Sequence, residues 1–198
     1  ESALSAVQIF NNPNILFKSE TYIVLMIIAW TYLLHAYFKD KRIDYRYIDK
    51  NKSTEKRKIY QVRDGDYVYW DLSKCLNFEQ CPLSNDCKNN LKFLIGLRNK
   101  IEHKMAGELD DALSARFQAC CLNYNKYITE IFGDKYAIDK YLSFSLQFSK
   151  LNKEQRELIE DYKLPETIET YIKTFDTGLT EEEFNSEEYA TRYLFVPK

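Results

Sequence analysis

The feature that most constrains this chain is residues 21–38, a run of eighteen that carries no formal charge apart from the titratable His35. Such a run is marginally long enough to span a bilayer, which takes about 20 apolar residues. It contains polar threonines, however, and Lys18 and Glu20 directly precede it. We therefore predict a buried central helix with His35 as a hydrogen-bonded core or cleft residue, and no membrane association. A membrane-attached helical protein is the alternative.

A buried helix must pack against other elements, and the chain is long enough to provide these elements within one domain. The 198 residues, 45% of them hydrophobic, can bury one substantial core but are too short for two ordinary domains. The five cysteines are an odd number, which fits a reducing cytosol better than a disulfide framework, so we expect a cytoplasmic protein. Cys75, Cys81 and Cys87 recur every six residues, a spacing unlike that of common zinc sites. We predict neither a metal nor a cofactor.

The element pattern predicts a mainly α fold: an antiparallel helical bundle with an inserted β-hairpin and a C-terminal helical extension. Predicted helices run over about residues 3–10, 21–38, 85–104 and 110–132, and proline or glycine follows the first and the last. The turn Asp64-Gly65 joins two runs of strand-forming residues, which places the hairpin at about residues 58–70.

The predicted bundle domain covers residues 1–149, and residues 150–198 form an acidic extension packed on it. Residues 142–148 alternate apolar and polar side chains and predict a late strand. Residues 153–163 and 165–175 predict two helices that meet at Pro165.

One short segment carries the residue types of metal-free phosphodiester chemistry, Arg98-Asn99-Lys100-Ile101-Glu102-His103. A guanidinium binds phosphate oxygens through two parallel bonds, and an imidazole that titrates near neutral pH can move a proton. On a straight helix Arg98 points about 140° away from His103, so the two would meet most easily across a symmetric dimer. Arg98 would also share an apolar stripe with Leu91, Leu94 and Ile101. The plainer alternative is a solvated Arg98–Glu102 pair near a helix C-terminus.

Arg98 and His103, with four residues between them and Asn99 after the arginine, resemble the signature of the HEPN superfamily. Further resemblance lies in residues 2–7, 9–13, 90–95 and 118–123, and points to a bacterial branch known only as a domain of unknown function. It covers roughly residues 2–149. The resemblance implies a helical, dimeric, metal-independent ribonuclease, often a toxin or an anti-phage effector. Met105 stands where some relatives carry a tyrosine that a partner nucleotidyltransferase modifies, so this variant is not expected here.

A basic run provides a candidate surface for RNA. Residues 39–58 hold nine Lys/Arg against four Asp/Glu, whereas residues 153–188 hold four against twelve. Lysines and arginines interleaved with tyrosines can follow a phosphate backbone and stack unpaired bases. The candidate RNA-binding residues are Lys41, Arg42, Arg46, Lys56 and Arg57. A solvated loop is the alternative for the same residues.

These observations converge on one hypothesis, a metal-independent endoribonuclease that cleaves RNA by attack of the ribose 2′-hydroxyl. His103 would be the acid–base residue, Arg98 the phosphate clamp and Asn99 an orienting partner, with Glu102 tuning the imidazole. The expected partners are RNA, a second copy of the chain and, by resemblance, an antitoxin or regulator. The alternative is a non-catalytic nucleic-acid-binding or dimerisation module.

Overall fold

In the computed structural model, the residues described are 1–12, 14–15, 17–55, 57–101, 108–139 and 164–191. They divide into two compact units. The helical unit comprises residues 1–29 and 83–198, and the hairpin unit comprises residues 30–82.

The helical unit is built from long helices with short caps. Its helices are α1 (Ser2–Asn11), the first half of α2 (Lys18–Asp40), α4 (Asn85–Arg98), α5 (Glu108–Phe132), α6 (Glu166–Thr177) and α7 (Glu181–Asn185). The Ser84 hydroxyl caps α4 by accepting from the Cys87 backbone N–H at 3.1 Å. Gly133, at φ 94°, ends α5 in a conformation that favours glycine. The Ser84 cap lies where the sequence predicts the start of α4, and Gly133 lies where it predicts the end of α5.

Three aromatic side chains from three helices form the centre of this unit. Phe10 of α1, Tyr22 of α2 and Phe117 of α5 lie with ring centroids 4.9 to 5.5 Å apart, mostly edge to face. The Tyr22 hydroxyl donates a 2.6 Å hydrogen bond to the Phe117 carbonyl, so its only polar atom is satisfied inside the core. Burial raises the pKa of Tyr22 well above its ordinary value.

Helix α2 is the buried central helix that its composition predicts. By length and composition alone it could cross a membrane, but 44% of its most apolar window is buried inside the protein. The buried side chains of α2 include Tyr22, Ile23, Met26, Trp30, Leu34 and Phe38. Its uncharged character is therefore explained by packing on other elements.

The hairpin unit contains the predicted turn and more pairing than the sequence indicates. Strands β1 (Val62–Arg63) and β2 (Asp66–Tyr67) are antiparallel and flank Asp64 and Gly65, both with positive φ, as a tight hairpin turn requires. Isolated bridges join Arg46 to Tyr69 and Ile48 to Tyr60, so the basic run before the hairpin pairs with it. A short helix, α3 (Leu72–Leu76), follows; the Asp71 side chain caps it by accepting from the Lys74 N–H at 2.7 Å.

The mainly α fold class is confirmed, but the predicted end of α4 is wrong. The helix stops at Arg98 instead of continuing to Lys104, and the Lys100 and Ile101 N–H groups both bond to the Leu97 carbonyl in a closing turn. Asparagine at position 99 favours a helix end because its side chain competes for backbone hydrogen bonds. The predicted strand at 142–148 and the helix at 153–163 lie outside the described residues. The helix predicted after Pro165 is present as α6.

Candidate functional site

Arg98, the predicted phosphate ligand, is the last residue of α4 and is exposed to solvent. No carboxylate of the described residues lies within ion-pair distance of its guanidinium. With respect to the described residues, its guanidinium donors are open to an anion, and Glu102, its partner in the plainer alternative, lies outside them. The prediction that Arg98 lies in an apolar stripe is wrong, because the helix ends at this residue and its side chain reaches water.

The other motif residues fall on or beyond the end of α4. Asn99 is the exposed C-cap of the helix. His103 and Glu102 lie outside the described residues. The angle of about 140° between Arg98 and His103 assumed one continuous helix, so this geometric argument for a site shared between subunits is wrong.

The end of α4 is held by a tyrosine from α6. The Tyr171 hydroxyl donates to the Phe93 carbonyl at 2.9 Å, and its ring stacks on Phe93 with centroids 5.4 Å apart. A Cβ at Gly96 would lie 2.8 Å from the Tyr171 ring carbon that bears the hydroxyl. Glycine at this position therefore allows the close contact. Lys100 lies two residues after the end of α4, and its ammonium is 5.4 Å from the centroid of the same ring.

A buried polar network ties α4 to α5 and to the C-terminal segment. The Asn90 amide donates to the Arg116 carbonyl at 2.9 Å and to the Tyr189 carbonyl at 2.8 Å. One guanidinium nitrogen of Arg116, Nη2, donates to both carboxylate oxygens of Asp176, at 2.6 and 2.8 Å. The Tyr189 hydroxyl donates to the same carboxylate at 2.6 Å. This network is structural, and it fixes the helix that carries Arg98.

In the hairpin unit, a cavity of about 330 Å³ opens beside the basic run. Its lining combines aromatic and apolar walls with four cationic side chains and one carboxylate, for a formal balance of +3. The lining residues are Asp44, Arg46, Tyr47, Ile48, Lys50, Lys58, Tyr60, Trp70 and Lys74. The volume falls within the range of small-molecule sites, about 300–1,000 Å³. Five of the nine lining side chains are charged, which favours a charged ligand.

Only Arg46 of the predicted RNA-binding residues lines this cavity, and it already has partners. It forms a bidentate ion pair with Asp44 at 2.8 and 2.9 Å. Its guanidinium carbon lies 3.8 Å from the Tyr60 centroid and 4.8 Å from that of Tyr67. The Arg46 hydrogen bonds lower the pKa of Asp44, so this carboxylate stays ionised.

The remaining predicted RNA-binding residues are scattered around the unit. Lys41 pairs with Asp40 at 3.7 Å, Arg42 sits in a turn with φ 58°, and Arg57 is exposed beside a bridge to Thr54. Lys56 lies outside the described residues. The sequence reasoning did not single out four residues that line the cavity, Lys50, Lys58, Trp70 and Lys74. Tyr47 and Tyr60, which also line it, are among the tyrosines interleaved with the basic run that were predicted to stack bases. The tyrosines interleaved with lysines gave part of that signal, but Lys74 comes from α3 and no local pattern predicts its position.

His35 supports the aromatic side of this unit. Its Nε2 donates to the Trp70 carbonyl at 2.8 Å, and its ring stacks on Tyr45 with centroids 4.5 Å apart. This confirms the prediction of a hydrogen-bonded cleft histidine. Partial burial lowers the pKa of His35, so the neutral ring is the dominant form at neutral pH.

The cysteines contribute no candidate metal centre. None of the five forms a disulfide, and all are buried. Among the described residues, no cluster of three or more cysteine, histidine or acidic side chains is placed to hold a metal. Burial raises the pKa of the Cys75 and Cys121 thiols to about 12, which keeps both protonated and poorly nucleophilic.

Comparison with known proteins gives one match. A family model described as "Domain of unknown function (DUF3644)" covers residues 1–179, a longer stretch than the resemblance over residues 2–149 and one that includes α6. No curated protein and no solved structure matches the chain. With nine tenths of its length matched, the chain belongs to this family, the domain of unknown function DUF3644.

Proposed function

We propose that this protein is a metal-independent endoribonuclease of the HEPN type, with Arg98 and His103 at its centre. The single observation that carries the proposal is the state of Arg98: an exposed guanidinium at the end of a firmly held helix, with no carboxylate of the described residues to neutralise it. An arginine committed to an ion pair would be a poor phosphate ligand.

The proposed chemistry needs only side chains of this chain. His103 takes the proton from a ribose 2′-hydroxyl, whose oxygen attacks the adjacent phosphorus while the bond from phosphorus to the 5′ oxygen breaks. A proton then passes to the leaving 5′ oxygen, and the products are a 2′,3′-cyclic phosphate and a 5′-hydroxyl. Arg98 stabilises the charge that develops on the non-bridging phosphate oxygens, and Asn99 orients the reacting groups.

Cleavage of a labelled single-stranded RNA in excess EDTA tests this proposal. We expect cleavage to persist, and a 2′-deoxy substitution at the cleaved nucleotide to abolish it. His103→Ala should lower the rate by about 10²–10⁴-fold, the usual contribution of general acid–base catalysis. Arg98→Lys should retain part of the activity that Arg98→Ala loses, because lysine keeps the charge but not the forked geometry.

Matched controls distinguish chemistry from folding. Lys92→Ala removes another exposed cation of α4, and His35→Gln removes the other histidine of the chain. Both should cleave at a rate close to that of the unmodified protein. Activity that disappears with EDTA, or that survives His103→Ala unchanged, would contradict the proposal.

The alternative function is nucleic-acid binding without cleavage, and a specific observation favours it. Among the described residues, the cavity of the hairpin unit is lined by cations and aromatic rings, and Arg98 is not part of that lining. A protein that binds RNA with the same affinity in EDTA but leaves it intact would support this alternative.

We further propose that the protein acts as a homodimer in the cytoplasm, free of membranes, in toxin–antitoxin or anti-phage systems with an antitoxin or regulator as partner. Mixing Arg98→Ala and His103→Ala subunits tests whether the site is shared. Activity that rises with heterodimer content indicates a site built from two chains. Heterodimers as inactive as either parent place both residues in one chain.

A further inference from the structure

We propose that the cavity of the hairpin unit is a nucleotide-binding site, which holds a base against its aromatic wall and a phosphate among Lys50, Lys58 and Lys74. This inference deepens the proposed function and rests on it for the choice of an RNA strand as the ligand. The recognised chemistry, a base joined to a phosphate, also occurs in free nucleoside phosphates, and the experiment separates the two sources.

The three lysines are available for an anion. None of their ammonium groups has an ion-pair partner among the described residues, whereas Lys41, Lys52, Lys126 and Lys173 each lie within 3.7 Å of a carboxylate. Lys50 and Lys58 precede strand β1 and are eight residues apart, and Lys74 lies on α3. All three nevertheless line one cavity. Three unpaired positive charges at one opening favour a ligand with concentrated negative charge.

Within the cavity, the ion pair of Arg46 and Asp44 adds no net charge. Arg46 contacts the rings of Tyr60 and Tyr67 and donates two side-chain hydrogen bonds to Asp44, which also interacts with the Tyr60 hydroxyl. The pair fixes the position of Tyr60, one wall of the cavity, and leaves the excess charge to the lysines. The Asp44 carboxylate also disfavours an anion at that end, so the phosphate is directed toward the lysines.

The apolar wall suits a flat ring. Tyr47, Tyr60 and Trp70 all line the cavity and are half-buried, so each exposes part of its ring. Trp70 is fixed by its indole N–H, which donates to the Arg46 carbonyl at 3.2 Å, and by packing on Phe38 and Phe78. The Lys74 ammonium lies 5.6 Å from the Trp70 ring, which places a cation beside the aromatic surface. A base on such a surface and a phosphate on nearby lysines are the two halves of single-strand recognition.

Tryptophan fluorescence can test this directly, because Trp30 and Trp70 are the two tryptophans of the chain and Trp30 is fully buried. The full chain carrying His103→Ala, in EDTA, is titrated with adenosine 5′-monophosphate and with a single-stranded octa-adenylate. We expect both to quench Trp70, and Trp70→Phe to remove the response. Tighter binding of the octa-adenylate identifies an RNA strand as the ligand. Equal or tighter binding of the monophosphate identifies a free nucleotide.

The charge requirement is tested by a matched pair of triple variants. Lys50→Gln, Lys58→Gln and Lys74→Gln together should weaken octa-adenylate binding at least about tenfold, and flatten the dependence of log affinity on log salt by about 0.7, the value for one phosphate contact with a single strand. Lys39→Gln, Lys52→Gln and Arg63→Gln remove the same charge from exposed positions of the same unit outside the cavity. This control should change both quantities much less.

Three results would overturn the inference: no quenching with either probe at low salt, equal losses in both triple variants, or inorganic phosphate that competes as well as the monophosphate. Failure of the proposed cleavage is a separate result. If RNA stays uncut but quenches Trp70, the nucleotide-binding site is supported and the nuclease proposal is wrong. If RNA is cleaved without quenching Trp70, the nuclease proposal is supported and the nucleotide-binding site is wrong.

Discussion

Each unit of this protein contains an arginine that contacts two aromatic rings and donates two hydrogen bonds to an aspartate. In the hairpin unit, Arg46 lies over Tyr60 and Tyr67 and pairs with Asp44. In the helical unit, Arg116 lies 4.5 Å from the Phe93 centroid and 5.3 Å from that of Tyr189, and pairs with Asp176. The local chemistry is nearly the same, but the surroundings differ.

Burial and chain separation distinguish the two clusters. The Arg116 side chain is 9% exposed and reaches a partner 60 residues away, whereas the Arg46 side chain is 30% exposed and pairs with a residue two positions before it. Burial opposes the charge on Arg116, but Tyr189 and Asp176 outweigh it and raise its pKa. A buried long-range pair therefore fixes tertiary structure, while an exposed local pair mainly shapes a surface.

The largest effect should follow from removing the buried carboxylate. Asp176→Asn leaves the Arg116 guanidinium in the core without a counterion, and breaking a buried pair in this way costs about 3–5 kcal/mol. We expect a corresponding loss in the free energy of unfolding, measured by urea denaturation with circular dichroism. Glu169→Gln, which removes an exposed pair with Lys173 on the same helix, is the control. A loss no larger than that of the control would show that the network does not stabilise the helical unit.

A smaller effect is expected where α6 meets the end of α4. Gly96→Ala places a methyl group against Tyr171, and overpacking of this kind costs about 1–3 kcal/mol. Tyr171→Phe removes the hydroxyl that the methyl meets first, at the cost of its bond to the Phe93 carbonyl. The double variant should thus be less destabilised than the sum of the single ones. Additive losses in urea denaturation would mean that the two residues are not in contact.

The contrast between the two arginines also explains which parts of the structure the sequence could predict. Helices α1, α5 and α6 follow from apolar side chains and from proline or glycine at their ends, and α2 follows from its long uncharged run, all of which are local signals. The Asp64-Gly65 turn is local in the same sense. The pairing of Arg46 with Tyr69 and of Arg116 with Asp176 depends on residues brought together by folding, and no spacing rule identifies them.

For the candidate sites, the sequence indicated which residue types could bind phosphate, but not whether each side chain is exposed or already paired. It correctly singled out Arg98 as a cation, but the helix end at Asn99 changed its surroundings from an apolar stripe to solvent. It grouped Arg46 with RNA-binding residues, although an aspartate two positions earlier already occupies its guanidinium. Of the cavity lysines, Lys50 and Lys58 lie within the basic run but were not among the named candidates, and Lys74 was missed because it lies beyond the run, on α3.

Acid should weaken the hairpin unit through His35. Burial lowers the pKa of this histidine in the folded chain, whereas in the unfolded chain it takes up a proton near pH 6.5. Its contribution to stability is thus present above about pH 6.5 and is lost as the pH falls through the lowered folded pKa, with a slope of at most about 1.4 kcal/mol per pH unit. Tryptophan fluorescence during urea denaturation measures this. His35→Gln keeps a donor for the Trp70 carbonyl without a titrating ring, so its pH dependence should be flatter; an unchanged profile would assign the effect to other groups.

The smallest change in stability is expected for Asp44→Asn, the counterpart of Asp176→Asn in the exposed cluster. Here water can solvate the released guanidinium, so unfolding followed by tryptophan fluorescence should shift far less than in the buried variant.

The Asp44→Asn substitution should instead change the binding of RNA. Without the carboxylate, Arg46 adds a free cation to the cavity and the repulsion of an anion by Asp44 disappears. We expect octa-adenylate to bind severalfold tighter, with a salt dependence steeper by about 0.7, the value for one more phosphate contact with a single strand. Lys52 pairs with Asp49 outside the cavity lining, so Asp49→Asn is the matched control and should leave binding unchanged. If Asp44→Asn instead unfolds the hairpin unit as severely as Asp176→Asn unfolds the helical unit, the two arginine clusters have the same structural role, and the distinction drawn from burial fails.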